Sequence, residues 1–546
     1  MMTKVIIVIL SLAYLQHQAL SQIQEDDNDA ELYVTLNQPK NSTLRGHHLT
    51  SFQGKKYCAF QEIPYAIPPI GERRFKAPEP MQPWKGIYNA TKSEKMCTQF
   101  TERRGTTVTG EEDCLYLYVY TPLNPKKITK KLPVLFWIHG GGFVEGSGRN
   151  QTHNPTYFMD EEIVIVTINY RLGILGFLTT GDSVIPSNLG LRDQRLALEW
   201  THANIEKFGG DPKNITIFGE SAGAASVGYH LLGYAEKPLF AAAILASGTA
   251  QNIWTYQHDP RRRAFETGKS LDKHFKSDDS AALLALLQNV SAPSLLKSDL
   301  HSDTKRVAIL ANDKNWFRPP TDAMEKGQFA KVPMMVGFNS EEFGYPDKDA
   351  CLNGANEIDK NISSILGVLD VGKHNSSEIG LRLKELYTKG LFADDLLAYV
   401  KYLSDYLFIS AIVKHADSAS KFVPTYLYSF SFKSSKGPRS GVPGVNGVYH
   451  AEDLSFYWKD CLFEVPESER IIAKKFVRIL TNFVKYKNPM PHKDPLLENV
   501  SWPTVKPNQI KYMNFGSTFK VEENPRNYSA IDTLLKKYLV KPVIVY

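Results

Sequence analysis

The sequence predicts an α/β fold: a mostly parallel central sheet with helices on both faces and large helical insertions. Three observations predict it. Short apolar runs rich in β-branched residues recur from residue 132 onward. Stretches with helical spacing separate these runs. The composition, 42% hydrophobic and 22% charged, leaves enough apolar surface to bury such a sheet. Runs that are apolar at every residue suit strands covered on both faces, and strand–helix alternation suits parallel pairing.

The elements follow in order. Residues 1–21 have the layout of a secretory signal peptide: a basic start at Met1–Lys4, an apolar run from Val5 to Leu15, and small Ala19 and Ser21 before a cut. The run is too short to span a bilayer, and no later stretch approaches ~18 uninterrupted apolar residues. The mature chain, 22–546, is therefore expected to be a single secreted domain with no membrane anchor. Its end, Lys541–Tyr546, has no lipid-anchor or retention signal. Residues 22–60 are turn-rich and read as a short meander. Leu132–His139 and Ile163–Asn169 read as buried strands. Leu189–Phe208 has helical spacing and stops at Gly209-Gly210-Asp211-Pro212. Ile215–Phe218 is a short strand, followed by a helix over Ala224–Leu232. Ala241–Ala246, Val332–Gly337 and Thr425–Phe430 are later strands. Residues 255–325 and 350–420 are helical and charged, and read as insertions above one sheet. Ser468–Lys487 is an amphipathic helix with its apolar face at Ile471, Ile472, Phe476, Ile479, Leu480 and Phe483.

Charge and cysteine usage narrow the function. Lys plus Arg is 64 against 58 Asp plus Glu, a net charge of +6. That weak field, with no Lys/Arg block longer than three, does not point to nucleic acid. Five cysteines are too few for a disulfide-dense scaffold. Cys97 and Cys114 enclose a loop that a bridge could stabilise by ~3 kcal/mol; the pairing of Cys58, Cys351 and Cys461 is not readable. Export also fits the sequons at Asn41, Asn89, Asn150, Asn289, Asn361, Asn375, Asn499 and Asn527. A ninth, Asn214, opens an apolar strand and is expected to be shielded.

Gly219-Glu220-Ser221-Ala222-Gly223 matches the Gly-x-Ser-x-Gly elbow, in which a strand turns sharply into a helix and exposes the serine Oγ. A serine hydroxyl needs a base to take its proton, and a carboxylate to orient that base. In this architecture the chain order is serine, acid, histidine. His450, in a polar loop after a strand, is the expected base, ahead of His415 and His492. Glu342, just past an apolar strand, is the expected acid, with Glu341 and Asp453 as rivals. His139-Gly140-Gly141-Gly142-Phe143 follows a buried strand, and its bare backbone suits an oxyanion hole. The expected donors are the N–H groups of Gly141, Gly142 and Ala222. No Gly-Lys-Ser/Thr follows the glycines, which argues against a phosphate loop. The zinc-hydrolase motif His-Glu-x-x-His does not occur. Neither metal nor cofactor is expected.

With these motifs in view, the chain resembles the type-B carboxylesterases of the cholinesterase-like family, with an α/β-hydrolase fold, over roughly residues 45–485. The resemblance rests on Ile63–Pro69, Arg74-Phe75, Glu112–Leu117, His139–Phe143, Asn169-Tyr170-Arg171, Asp193-Gln194, Phe208–Pro212 and Gly219–Gly223. It implies a triad of Ser221, Glu342 and His450 and an oxyanion hole of Gly141, Gly142 and Ala222. It also implies a Cys97–Cys114 disulfide and the ion pairs Arg74–Glu112 and Arg171–Asp193. Glu220 and Ser247 fall beside the triad, and Trp254 matches an acyl-pocket aromatic. Glu62 and Ala451 stand where the family usually has glycine. The overall flavour is that of secreted insect esterases.

The expected function is hydrolysis of small-molecule carboxylic esters through an acyl-enzyme. Two alternatives are an esterase for a hormone or pheromone ester, such as juvenile hormone, and a non-catalytic adhesion relative. Juvenile hormone esterases usually carry Gln where this chain has Glu220, and adhesion relatives lose a triad member and carry a membrane stalk. An acetylcholine specialist needs a tryptophan in the Cys97–Cys114 loop to stack a quaternary ammonium. That loop offers Phe100 instead, with Arg103 and Arg104 close by.

Overall fold

The computed structural model describes residues 32–101, 106–298, 318–344 and 347–546. The expected signal peptide, Arg103, Arg104, and Trp316-Phe317, an aromatic pair expected to offer surface to an acyl chain, lie outside them.

The chain enters as an antiparallel meander of β1 (Leu32–Thr35), β2 (Thr43–Thr50) and β3 (Lys56–Pro64), with β4 (Ile87–Asn89) parallel to β2. A small ribbon, β5 (Gln99–Phe100) and β6 (Val108–Thr109), sits inside the Cys97–Cys114 loop. The main sheet continues through β7 (Tyr116–Thr121), β8 (Leu132–Ile138), β9 (Val164–Ile168), β10 (Gly210–Glu220), β11 (Ala242–Ala246), β12 (Met334–Asn339), β13 (Thr425–Phe430), β14 (Lys511–Phe515) and β15 (Phe519–Glu523). Their spatial order is β1-β2-β3-β7-β9-β8-β10-β11-β12-β13-β14-β15. From β9 through β14 every neighbour is parallel; the two flanks are antiparallel. This is the mixed, mostly parallel sheet of the α/β-hydrolase fold.

The continuous apolar runs are explained by burial on both faces. In β8, Val134, Phe136 and Ile138 enter one core cluster while Leu135 and Trp137 enter another, as the two-residue period of a strand requires. Helices Ala222–Gly233 and Ser410–Ser420 cover the first face, and helix Arg470–Tyr486 covers the second through Phe476, Ile479, Leu480 and Phe483. Ile471, expected on that apolar face, instead points to solvent. Strand β10 is longer than the predicted 215–218, because a register shift between Gly210 and Ile215 lets it pair again with β8 at Leu132. The predicted insertions fold as helices with small cores of their own. One is built around Leu283, Leu287 and Leu295, the other around Ile365, Leu383 and Tyr402.

One continuous helical run, Leu396–Ser420, is long and apolar enough to cross a membrane, but most of it is buried against the core. It is interrupted by a π-turn at Asp405–Ile409, which bears on the site below.

Candidate active site

The site forms where parallel strands end, as open α/β sheets place their sites. Strand β10 ends at Glu220, and the helix opens at Ala222. Ser221 between them has φ +55° and ψ −122°, a costly conformation for a residue with a Cβ. It is pinned by its N–H donating to the Ala246 carbonyl at 2.9 Å, and by its own carbonyl accepting from the Ala225 N–H at 2.9 Å. The flanking glycines are required by close approach: a Cβ on Gly223 would lie 2.0 Å from the Ile138 carbonyl oxygen.

His450 brings its Nε2 to 2.8 Å from the Ser221 Oγ and its Nδ1 to 2.7 Å from the Glu342 Oε2. With the Nδ1–H donated to the carboxylate, Nε2 is placed to accept a hydrogen bond from the Ser221 hydroxyl. Glu342 is buried, and its Oε1 accepts from the Asn339 N–H at 2.8 Å. The rivals are turned elsewhere. Glu341 meets the Arg526 guanidinium at 3.1 Å, and Asp453 accepts from the Asn339 Nδ2 at 2.9 Å. His415 is buried against the Gln251 Oε1, its pKa pushed down to about 3 by burial, and His492 is exposed beside Tyr486. The His450 loop is braced from behind: Glu452 Oε1 accepts from the Tyr449 N–H at 2.8 Å and from Lys433 Nζ at 2.6 Å.

The glycine loop after β8 lies directly against the serine turn. A Cβ on Gly140 would come within 2.5 Å of Glu220 Oε2. Gly141, Gly142 and Phe143 all hold positive φ, and the Gly141 carbonyl closes the turn by accepting from the Val144 and Glu145 N–H groups. Ala222 is the first residue of its helix, so its N–H has no acceptor within that helix. The loop is seated on His139, whose ring stacks on Tyr170 at 4.4 Å and whose Nδ1 contacts the Gly140 carbonyl. Burial pushes His139 down to about 4, so it is a neutral support at neutral pH.

Glu220 Oε1 stands 3.5 Å from His450 Nε2. Ser247 follows β11 with φ +53°, its N–H donating to the Gly337 carbonyl. Trp254 donates from Nε1 to the Leu407 carbonyl at 2.7 Å. It belongs to an aromatic row: Phe143 lies 6.5 Å from Trp254, Trp254 lies 5.7 Å from Phe408, and Phe408 lies 4.4 Å from His450, ring centre to ring centre. Sequence reasoning missed Phe408. The density of aromatics at Tyr399, Tyr402, Tyr406 and Phe408 was the one signal that pointed there.

The family model that matches, described as the carboxylesterase family, spans residues 31–530. The chain belongs to the carboxylesterase family. Among its relatives is a carboxylic ester hydrolase of Bombus ignitus, 32% identical over 89% of this chain and 91% of the relative. Another is a juvenile hormone esterase of Tribolium castaneum, 31% identical over 84% of each. An acetylcholinesterase of Danio rerio is 30% identical over 93% of this chain and 87% of that one.

This carboxylesterase joins Cys97 and Cys114 in a disulfide, with Cα atoms 4.9 Å apart; Cys58, Cys351 and Cys461 lie outside it. Arg74 grips Glu112 through Nε at 2.6 Å, and Arg171 grips Asp193 through Nε and Nη2 at 2.8 and 2.7 Å. Glu62 and Ala451, the two departures from glycine, have φ +55° and +68°. Both positions need the left-handed backbone that glycine adopts most readily. Of the sequon asparagines, 41, 89, 289, 361, 375, 499 and 527 are exposed and Asn150 is half-buried. Asn214 is held by Lys487 Nζ.

Behind Glu342 the carboxylesterase buries Asp453, whose pKa is raised to about 6, first by burial and then by the Glu342 charge, against the Asn339 hydrogen bond. A carboxyl raised on folding binds extra protons in the native state. Its stabilising effect is full below the unfolded value of 3.8 and is lost as pH rises through about 6. Asp453→Asn keeps an acceptor for Asn339. It is expected to raise the thermal midpoint by about 1–3 °C at pH 7.5, and this gain is expected to shrink severalfold by pH 4. Melting curves at both pH values check it; an equal gain at each would mean that Asp453 titrates alike folded and unfolded.

Proposed function

We propose that the chain is a secreted serine carboxylesterase that cleaves neutral carboxylic esters through an acyl-enzyme on Ser221. The observation that carries the reading is the unbroken hydrogen-bond relay from Ser221 Oγ through the His450 ring to Glu342. In this reading Oγ attacks the ester carbonyl carbon while His450 Nε2 takes its proton. Glu342 holds the Nδ1–H and stabilises the imidazolium. The carbonyl oxygen gains negative charge against the N–H groups of Gly141, Gly142 and Ala222. Collapse of the adduct expels the alkoxide, which takes the proton from Nε2. Water then enters by the same base and releases the acid. Glu220, 3.5 Å from Nε2, adds a negative charge beside the imidazolium. The leader-like residues 1–21, the disulfide and the exposed sequons support secretion and glycosylation.

The acyl side is read from Trp254 and its aromatic neighbours, which offer apolar surface worth ~0.8 kcal/mol per buried CH₂. For the alcohol side, the 97–114 loop has no tryptophan to stack a cation. Two experiments test the reading. A fluorophosphonate probe is expected to label the protein covalently at Ser221, and peptide mapping of the adduct locates it; labelling elsewhere, or none, removes the assignment. Matched acetyl esters, one neutral and one cationic with equal leaving-group pKa, are expected to differ in kcat/KM by at least tenfold in favour of the neutral one, or ~1.4 kcal/mol. A preference for the cationic ester would return the cholinesterase reading.

A further inference from the structure

Arg526 comes from the C-terminal segment after β15, 121 residues from Asp405 and 186 from Ser340, yet it reaches both. All five of its N–H donors are engaged. Nε donates to Asp405 Oδ1 at 2.9 Å. Nη1 donates to the Ser340 carbonyl at 3.0 Å and to Glu341 Oε2 at 3.1 Å. Nη2 donates to Glu341 Oε1 and to the Lys401 carbonyl, both at 3.1 Å. The residue itself has φ +54°, next to Asn527 at +55°, a conformation kept only where the surroundings over-determine it.

The five acceptors belong to two elements that meet at His450. Ser340 and Glu341 immediately precede Glu342. Lys401 and Asp405 flank the passage from helix Leu396–Ser404 into the π-turn Asp405–Ile409, the kind of helix irregularity that is frequent at functional sites. That turn carries Leu407, whose carbonyl receives the Trp254 Nε1–H, and Phe408, whose ring lies 4.4 Å from that of His450. A second tie, Phe343 N–H to Ser404 Oγ at 2.9 Å, runs between the same two elements. His450 therefore has Glu342 on its Nδ1 and Phe408 against its ring, and the guanidinium, together with the Phe343–Ser404 tie, joins the elements that carry them.

We propose that Arg526 is a positioning residue for acyl transfer: it clamps the 340–342 loop to the 405–409 turn and so holds His450 between Glu342 and Phe408. The proposal rests on the roles given above to Ser221, Glu342 and His450. A lysine ammonium, a point charge with three donors, cannot reproduce a five-acceptor planar fork.

The test compares full-length wild type with Arg526→Gln, Arg526→Lys and a control, Lys384→Gln. The control breaks a buried ion pair with Asp359 that touches neither element. Each is assayed, below its own melting transition, for kcat and KM on a neutral acetyl ester and for the second-order rate of fluorophosphonate labelling. Arg526→Gln is expected to lower both kcat and the labelling rate at least tenfold with KM changed less than threefold. Arg526→Lys is expected to fall in between, and Lys384→Gln to stay within twofold of wild type. Where Arg526→Gln does not fold, a loss of at least threefold in Arg526→Lys carries the same meaning. A wild type that labels normally, alongside Arg526 variants that melt earlier but keep kcat and labelling within twofold, would overturn the proposal and leave the esterase reading standing. A wild type that does not label at all would overturn both.

Discussion

Ser221→Ala is expected to lower kcat by about 10⁶-fold, the loss seen when the nucleophile of a comparable triad is removed. That corresponds to ~8 kcal/mol of transition-state stabilisation. The fold is expected to survive, because the change deletes one hydroxyl and no core volume. The backbone pins on Ser221, its N–H to Ala246 and its carbonyl to Ala225, do not involve the side chain. Purified variant protein with an unchanged circular dichroism spectrum and no measurable ester turnover is the expected result. More than a few per cent of wild-type activity, free of contaminating esterase, would rule out Ser221 as nucleophile.

Glu342→Gln is expected to cost about 10⁴-fold in kcat at neutral pH. An amide can still accept the Nδ1–H through its oxygen, but it offers no charge to the imidazolium. In the flipped orientation its NH₂ donates to Nδ1 and leaves the proton on Nε2, where it blocks the approach of the serine hydroxyl. The informative control is the next residue. Glu341→Gln should cost no more than about tenfold, because its side chain does not touch the imidazole and the amide oxygen keeps one of the two acceptors it offers Arg526. If the two effects came out reversed, the acid would be Glu341 and the loop register would need revision.

The parts of this site that could be read from sequence are those written in one short stretch of chain. The Ser221 turn and the 139–143 glycines each combine a close-approach demand with a neighbouring strand, and both signals sit within five residues. The acid was harder. Glu341 and Glu342 are adjacent, and what separates them is tertiary: the Asn339 N–H bonds back to Glu342 Oε1, while the distant Arg526 holds Glu341. Phe408, marked only by a local density of aromatics, and Arg526, marked by nothing, were hard for a different reason. A π-turn has no periodic signature, and Arg526 acts on acceptors more than a hundred residues away through contacts that no local pattern encodes. Ile471 shows hydrophobicity departing from period: at about 100° per residue it lies roughly 80° beyond Ile479, the nearest member of the apolar stripe, so the helix turns it to solvent.

The chain separation within the relay has a consequence for biosynthesis. His450 lies 229 residues after Ser221 and 108 after Glu342. At a synthesis rate of about 5–20 residues per second, Ser221 emerges about ten to fifty seconds before its proposed base does. Until then Ser221 has no His450 to take its proton, and β12 lacks its partner β13, which starts only at Thr425. Parallel pairing of this range forms slowly, and unpaired strand edges invite association with other chains. Ester turnover is thus a late readout of folding. A refolding experiment followed by activity should lag one followed by helix content, and holding chains dilute or chaperone-bound until residue 450 has docked should raise the yield of active protein.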